Sequence, residues 1–133
     1  MKQITLLFLL IVQSTIAQNS LFNQIEAKNI GPTIMSGRVV DLAVNPKNPT
    51  EFYVAYATGG LWYTNNNGTS FTPMMDSAET VNCGSVTVDW NSGTIWVGTG
   101  EVNASRSSYA GVGVLKSSDK GKTWENLGLN DSH

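Results

Sequence analysis

The chain repeats itself, and this limits what it can fold into more than any other feature. "TNNNGTSF" at 64–71 returns as "SSDKGKTW" at 117–124, position by position. Upstream, "DLAVNP" (41–46) matches "SVTVDW" (85–90), Tyr53-Val54 matches Trp96-Val97, and Gly60-Leu61 matches Gly113-Val114. The offset grows from 44 residues early in the unit to 53 late, so the second copy carries a longer loop within "EVNASRSSYAGVG" (101–113). A unit that recurs in this way buries its apolar face against its neighbours rather than within itself.

Each copy reads as strands. "RVVDLAV" and "SVTVDW" place apolar residues at alternate positions, and "EFYVAYA" and "TIWVGTG" are rich in β-branched and aromatic residues. "LWYT" and "VLKS" run into glycine-containing turns, and "SFTPM" and "TWENL" run out of them. The pattern predicts four short antiparallel strands per unit and an all-β fold. Four strands at this period are the signature of β-propeller blades. No amphipathic run long enough for a helix follows the N-terminal segment, which excludes a doubly wound α/β fold.

The expected boundaries are a first blade over about 36–76 and a second over about 83–129. "NIGP" (29–32) is similar to "NLGL" (126–129), so 22–30 reads as a fourth strand without its first three. In a closed propeller such a strand completes the last blade. Residues 130–133 then lead into a third blade. Two blades do not close a ring, so the expectation is a fragment of a β-propeller whose missing C-terminal blades are its partners. The alternative is a short chain that closes a ring by self-association.

Lys2 precedes "ITLLFLLIV", an apolar run of signal-peptide length, and small residues at Thr15 and Ala17 follow it. We expect cleavage after Ala17. A mature chain over 18–133 would then be secreted, periplasmic or at the cell surface, with no membrane span after cleavage. The alternative is an uncleaved anchor. A net charge of −2 without a basic cluster excludes nucleic acid as a partner class. One cysteine, Cys83, and one histidine, His133, assemble no zinc site, and no metal or cofactor is expected. Cys83 reads as a small buried apolar residue.

"SSDKGKTW" crowds Ser117, Asp119, Gly121, Thr123 and Trp124 together as an active site would. A turn explains them as well. Gly121 accepts a positive φ, Asp119 accepts hydrogen bonds from turn N–H groups, Ser117 and Thr123 face each other across the neck, and Trp124 buries its ring. The first copy has Asn66 at the aspartate place. Asparagine caps a turn but is no acid, so the eight residues are expected to be architecture.

The same octet fits S-x-D-x-G-x-T-W, and it resembles the Asp-box, or BNR repeat, with "TNNNGTSF" as a degenerate copy. The span 29–133 resembles secreted bacterial proteins with sortilin-like (VPS10-type) or BNR-like propellers. The phrases that carry this are "NIGPTIMSGRVVDLAVNPKNP", "FYVAYATGGLWYTNNNG", "WVGTGE", "RSSYAGVGVLKSSDKGKTW" and "GLNDSH". The sortilin-like resemblance implies a module that binds protein, peptide or glycan. Asp-boxes also occur in sialidase and xyloglucanase propellers, which implies the alternative of a glycoside hydrolase. Against an enzyme, Arg38, Arg106 and Tyr109 lack the spacing of a sialidase's arginine cluster and tyrosine nucleophile. "ATGG" puts Ala57 where xyloglucanase-like propellers carry the catalytic aspartate of D-x-G-G. A third reading is a purely structural module of a large surface protein.

Strand direction alternates, so loops alternate between the two ends of each blade. Both octets fall at one end. The other collects "GPTIMSGR", "ATGG", "GEVNASRSSYAG" and "LNDSH". Ligand sites sit on loops held by a rigid scaffold. The candidate binding residues are therefore Arg38, Glu101, Arg106 and Tyr109, with Asp131 and His133 beside them. Each also has a packing role open to it: Arg38 pairing with a carboxylate at a blade junction, Glu101 accepting loop N–H groups, Arg106 and Tyr109 holding the insertion down.

Overall fold

The computed structural model describes residues 37–101 and 108–131. The expected signal segment 1–17, the expected strand 22–30, Arg106 and His133 lie outside the described residues. Among those described there is no helix. Eight strands follow in order: β1 (Val39–Val44), β2 (Phe52–Tyr56), β3 (Gly60–Thr64), β4 (Thr72–Pro73), β5 (Cys83–Asp89), β6 (Thr94–Thr99), β7 (Val114–Ser117) and β8 (Glu125–Asn126). They form two four-stranded antiparallel meanders, β1-β2-β3-β4 and β5-β6-β7-β8.

The two sheets repeat each other to the residue. Both first strands carry a bulge at the same place, between Val39 and Asp41 in β1 and between Cys83 and Ser85 in β5. Gly60, which opens β3, and Gly113, which immediately precedes β7, both take positive φ, 78° and 102°. The last strands are shorter than the sequence predicts, and the turns explain it. The Ser70 and Thr123 N–H groups are taken by Asn66 and Asp119 side chains at 3.0 and 2.9 Å, so neither residue enters the ladder. Pro73 has no N–H with which to continue it.

Period-two alternation decides what packs. In the first sheet Ala43, Tyr53 and Tyr63 are in register, so they share a face, with Ala55 and Leu61 alongside. In the second sheet Val86, Val97 and Leu115 are in register, with Ile95 next to them. These two faces meet. Together with Met74 and Met75 of the connector and Cys83 at the start of β5 they form one core cluster. Tyr53 makes tilted ring contacts with Tyr63 and Trp90 at centroid distances of 4.8 and 5.6 Å, and the contact with Trp90 ties the sheets together.

The first strands lie side by side, β1 along β5. Asp41 Oδ2 accepts the Val86 N–H at 2.9 Å, which occupies a donor on the open edge of β5. The reverse face of the first sheet is different. Leu42 is the repeat equivalent of Val86, yet Leu42 is 53% exposed and Val86 only 8%. Val44 is exposed as well. Val54 and Trp62, which follow Leu42 in register across the same face, are buried, so the exposure lies at its β1 edge.

Candidate functional site

Turn 117–124 is closed by its own side chains. The Ser117 hydroxyl donates to Asp119 Oδ1 at 2.8 Å and accepts the Gly121 N–H at 2.8 Å. Asp119 Oδ1 also accepts the Thr123 N–H, and Asp119 Oδ2 accepts the Thr123 hydroxyl at 2.6 Å. Ser117 and Thr123 are therefore joined through the carboxylate rather than directly. The hydrogen bonds from Thr123 hold the Asp119 carboxyl down at about 2, so it is ionised and fully engaged at neutral pH. Gly121 takes φ 80° and Lys120 φ 60°. Trp124 is half-buried, and its indole N–H donates to the Met74 carbonyl at 2.9 Å, which fastens the second turn to the first sheet.

Turn 64–71 has the same skeleton. The Thr64 hydroxyl donates to Asn66 Oδ1 and accepts the Gly68 N–H, and Asn66 Oδ1 accepts the Ser70 N–H. Where the Thr123 hydroxyl gives its proton to Asp119, Asn66 Nδ2 gives one to the Ser70 hydroxyl, so the polarity of that bond is reversed. Positive φ falls on the matching pair, Asn67 and Gly68. An amide does the aspartate's work. In each turn the three side chains at the matching places, Ser117, Asp119 and Thr123 or Thr64, Asn66 and Ser70, are engaged with one another.

At the opposite end of the sheets, Arg38 and Glu101 come together across 63 residues. Arg38 Nη2 donates to Glu101 Oε1 in an ion pair. The arginine side chain is 44% exposed and the glutamate side chain 1%. Glu101 lies two residues past the end of β6, and its backbone N–H donates to the Tyr109 carbonyl at 3.1 Å, where the long loop returns. The base of that loop is further held by Thr99, whose hydroxyl donates to the Gly113 carbonyl and accepts the Val112 N–H. Gly100 N–H donates to Asn82, and Gly60 N–H to Val81, so the connector between the sheets closes the floor.

Of the four candidate residues, the structure thus joins Arg38 to Glu101 and sets the Tyr109 backbone beside them, with the Tyr109 side chain exposed. Arg106 falls outside the described residues. Asp131 is exposed. Ala57, at the place of the xyloglucanase aspartate, is buried at the end of β2; its N–H donates to Arg38 and its carbonyl accepts the Cys83 N–H. Glu101 Oε2 is buried and meets no hydrogen-bond partner among the described residues. A buried carboxylate oxygen without a donor is costly and uncommon in folded proteins. Sequence reading missed Asp41, whose carboxylate bridges the two sheets. Only the three-dimensional placement of β1 beside β5 reveals that role.

Among the described residues, no group of three or more His, Cys, Asp or Glu side chains is placed to hold a metal ion. No protein-family model matches the chain, and a search of curated proteins found no match. The reading of function therefore rests on the geometry.

Proposed function

We propose that the two sheets are successive blades of an Asp-box propeller, of the BNR or sortilin-like kind, and that the chain is an exported recognition module. Its loop face takes a protein, peptide or glycan ligand through Arg38, Glu101, Tyr109 and Arg106. The observation that carries this is Glu101: a buried carboxylate fixed by a half-exposed arginine, with one oxygen left unpartnered among the described residues. Scaffold alone does not call for that carboxylate, since Thr58 stands at the place of Glu101 in the first unit. The repeated turns support the same division of labour, because asparagine replaces aspartate in one of them without changing its form. Face-to-face stacking with β1 along β5 supports the propeller reading. It makes the outer face of the first sheet, with Leu42 and Val44, the seat of a further blade.

Immobilised full chain screened against glycan and peptide arrays tests the reading. Ligands retained by the unaltered protein should be lost by Arg38→Ala and Glu101→Gln. Retention by both variants would remove the loop face from recognition. Release of new reducing ends from a retained glycan would favour the glycoside-hydrolase alternative, which needs two carboxyl groups about 5–9.5 Å apart. Export with cleavage after Ala17 belongs to the same proposal, and N-terminal sequencing of the mature chain should begin at Gln18.

A further inference from the structure

A second site lies at the other end of the sheets. There, between the two sheets and beside the turns, is a cavity of about 330 Å³. That is at the lower end of the range for small-molecule sites, roughly 300–1,000 Å³. Its walls include the rings of Tyr53, Tyr63 and Trp90, and its polar groups include Asn45, Glu51 and Lys120. Tyr53 is buried against the other two rings, while Tyr63 and Trp90 are half-buried.

Glu51 is fixed in place. Its Oε1 accepts the Tyr63 hydroxyl at 2.6 Å and its Oε2 accepts Asn45 Nδ2 at 2.7 Å. These two bonds lower the Glu51 carboxyl below the usual range, and the Lys120 charge adds to them. Burial, and then the bond to Glu51, pushes the Tyr63 hydroxyl well above its ordinary value, so it remains a donor. A carboxylate has about four acceptor positions, and each Glu51 oxygen has used one. Acceptor capacity is therefore left beside two aromatic rings.

The scaffold does not require these residues. In the second unit Asp89 stands at the place of Asn45, Thr94 at that of Glu51 and Lys116 at that of Tyr63. Asp89 closes its own turn by accepting the Asn91 N–H at 3.0 Å, and Asn45 does the same for the Lys47 N–H. Having an amide instead of a carboxylate allows Asn45 to donate to Glu51 as well. The Asn45–Glu51–Tyr63 chain is thus an addition to the framework.

We propose that this cavity binds one pyranose unit of a neutral glycan, with the apolar C–H face of the sugar on Trp90 and Tyr63 and its hydroxyls on Glu51, Asn45 and Asn91. Charge selects the class. A cationic ligand meets Lys120 and an anionic one meets Glu51, whereas a neutral polyol donates to the carboxylate and accepts from the ammonium and amide groups. Aromatic rings take the C–H face, and hydrogen bonds to an ionised carboxylate are among the stronger ones. This site is independent of Arg38 and Glu101, which lie at the opposite end.

The test is a titration of the ¹⁵N-labelled full chain with the methyl glycosides of glucose, galactose, mannose and N-acetylglucosamine. The Trp90 indole N–H and the Asn91 amide report occupancy. At least one glycoside should give saturable shifts at both, with affinity in the millimolar range. Glu51→Gln and Asn91→Ala, each shown to be folded by its own spectrum, should weaken it by about tenfold. Arg38→Ala should titrate like the unaltered protein, so failure at the loop face and failure here are separable. Shifts that stay linear with every glycoside overturn the proposal. So does saturation by tetramethylammonium or inorganic phosphate where the glycosides give none, and so does unchanged affinity in both variants.

Discussion

Replacing Val86 by alanine tests the face-to-face packing of the two sheets. Val86 sits in β5 with its side chain in the shared core, 8% exposed, in register with Val97. The substitution removes two methylene equivalents, about 1.6 kcal/mol at ~0.8 kcal/mol each. Incomplete collapse of the space left behind brings the loss to about 2 kcal/mol. At about 2.1 cal/mol/K of unfolding entropy per residue, that lowers Tm by roughly 7–8 °C. Leu42→Ala at the equivalent position of the first sheet removes three methylene equivalents, one more. Leu42 is about half exposed and leaves no closed cavity, so the loss should be about 1 kcal/mol or less. Thermal and urea unfolding of the three proteins, followed by circular dichroism, provides the comparison. A Val86→Ala loss below about 0.5 kcal/mol, or one no larger than that of Leu42→Ala, would refute the stacking of sheet on sheet.

Three further outcomes are expected. Because the Asp119 carboxyl is held at about 2 in the folded chain, its stabilising effect is complete above the usual carboxylate range and fades as pH falls toward 2. Asp119→Ala should therefore lower the melting temperature at pH 7 by more than at pH 2. Asp119→Asn should lower it less at pH 7, since Asn66 already makes the same turn; a collapse of Asp119→Asn at pH 7 would contradict this. Gly128→Ala should cost about 1–3 kcal/mol for its φ of 100° alone, since a Cβ there meets nothing within 4 Å. Gly113→Ala adds an overlap with the Gly128 carbonyl and should cost more, so denaturation curves in the reverse order would count against the described turn. Burial pushes the Cys83 thiol up to about 12, so it should resist a thiol reagent in the native chain and react on unfolding. Rapid labelling of folded protein at pH 8 would show that the connector does not cover it.

Strands and turns were legible because their signals are local. Alternation in "RVVDLAV" and "SVTVDW", the β-branched and aromatic runs and the two matching octets predicted four strands per unit, and the octets' side chains close their turns largely as their chemistry predicts. The bulges were not legible, because a bulge shows only in the partner strand's register. β4 and β8 are shorter than the sequence predicts because Asn66 and Asp119 withdraw N–H groups that the strand pattern assigns to the ladder. Arg38 and Glu101 were each visible as loop residues, but their meeting across 63 residues depends on how the two sheets stack. The Glu51 cavity left no mark in the sequence. Glu51, Tyr63 and Trp90 each look like ordinary strand-end residues until the sheets face each other.

The most direct measurement compares ligand retention by Arg38→Ala and Asp119→Asn on the arrays, with both variants folded. If the turns are architecture and the opposite face recognises, Asp119→Asn keeps the ligands of the unaltered chain and Arg38→Ala loses them. The contradicting result is the reverse: ligands kept by Arg38→Ala and lost by Asp119→Asn, which would place recognition in the octet itself.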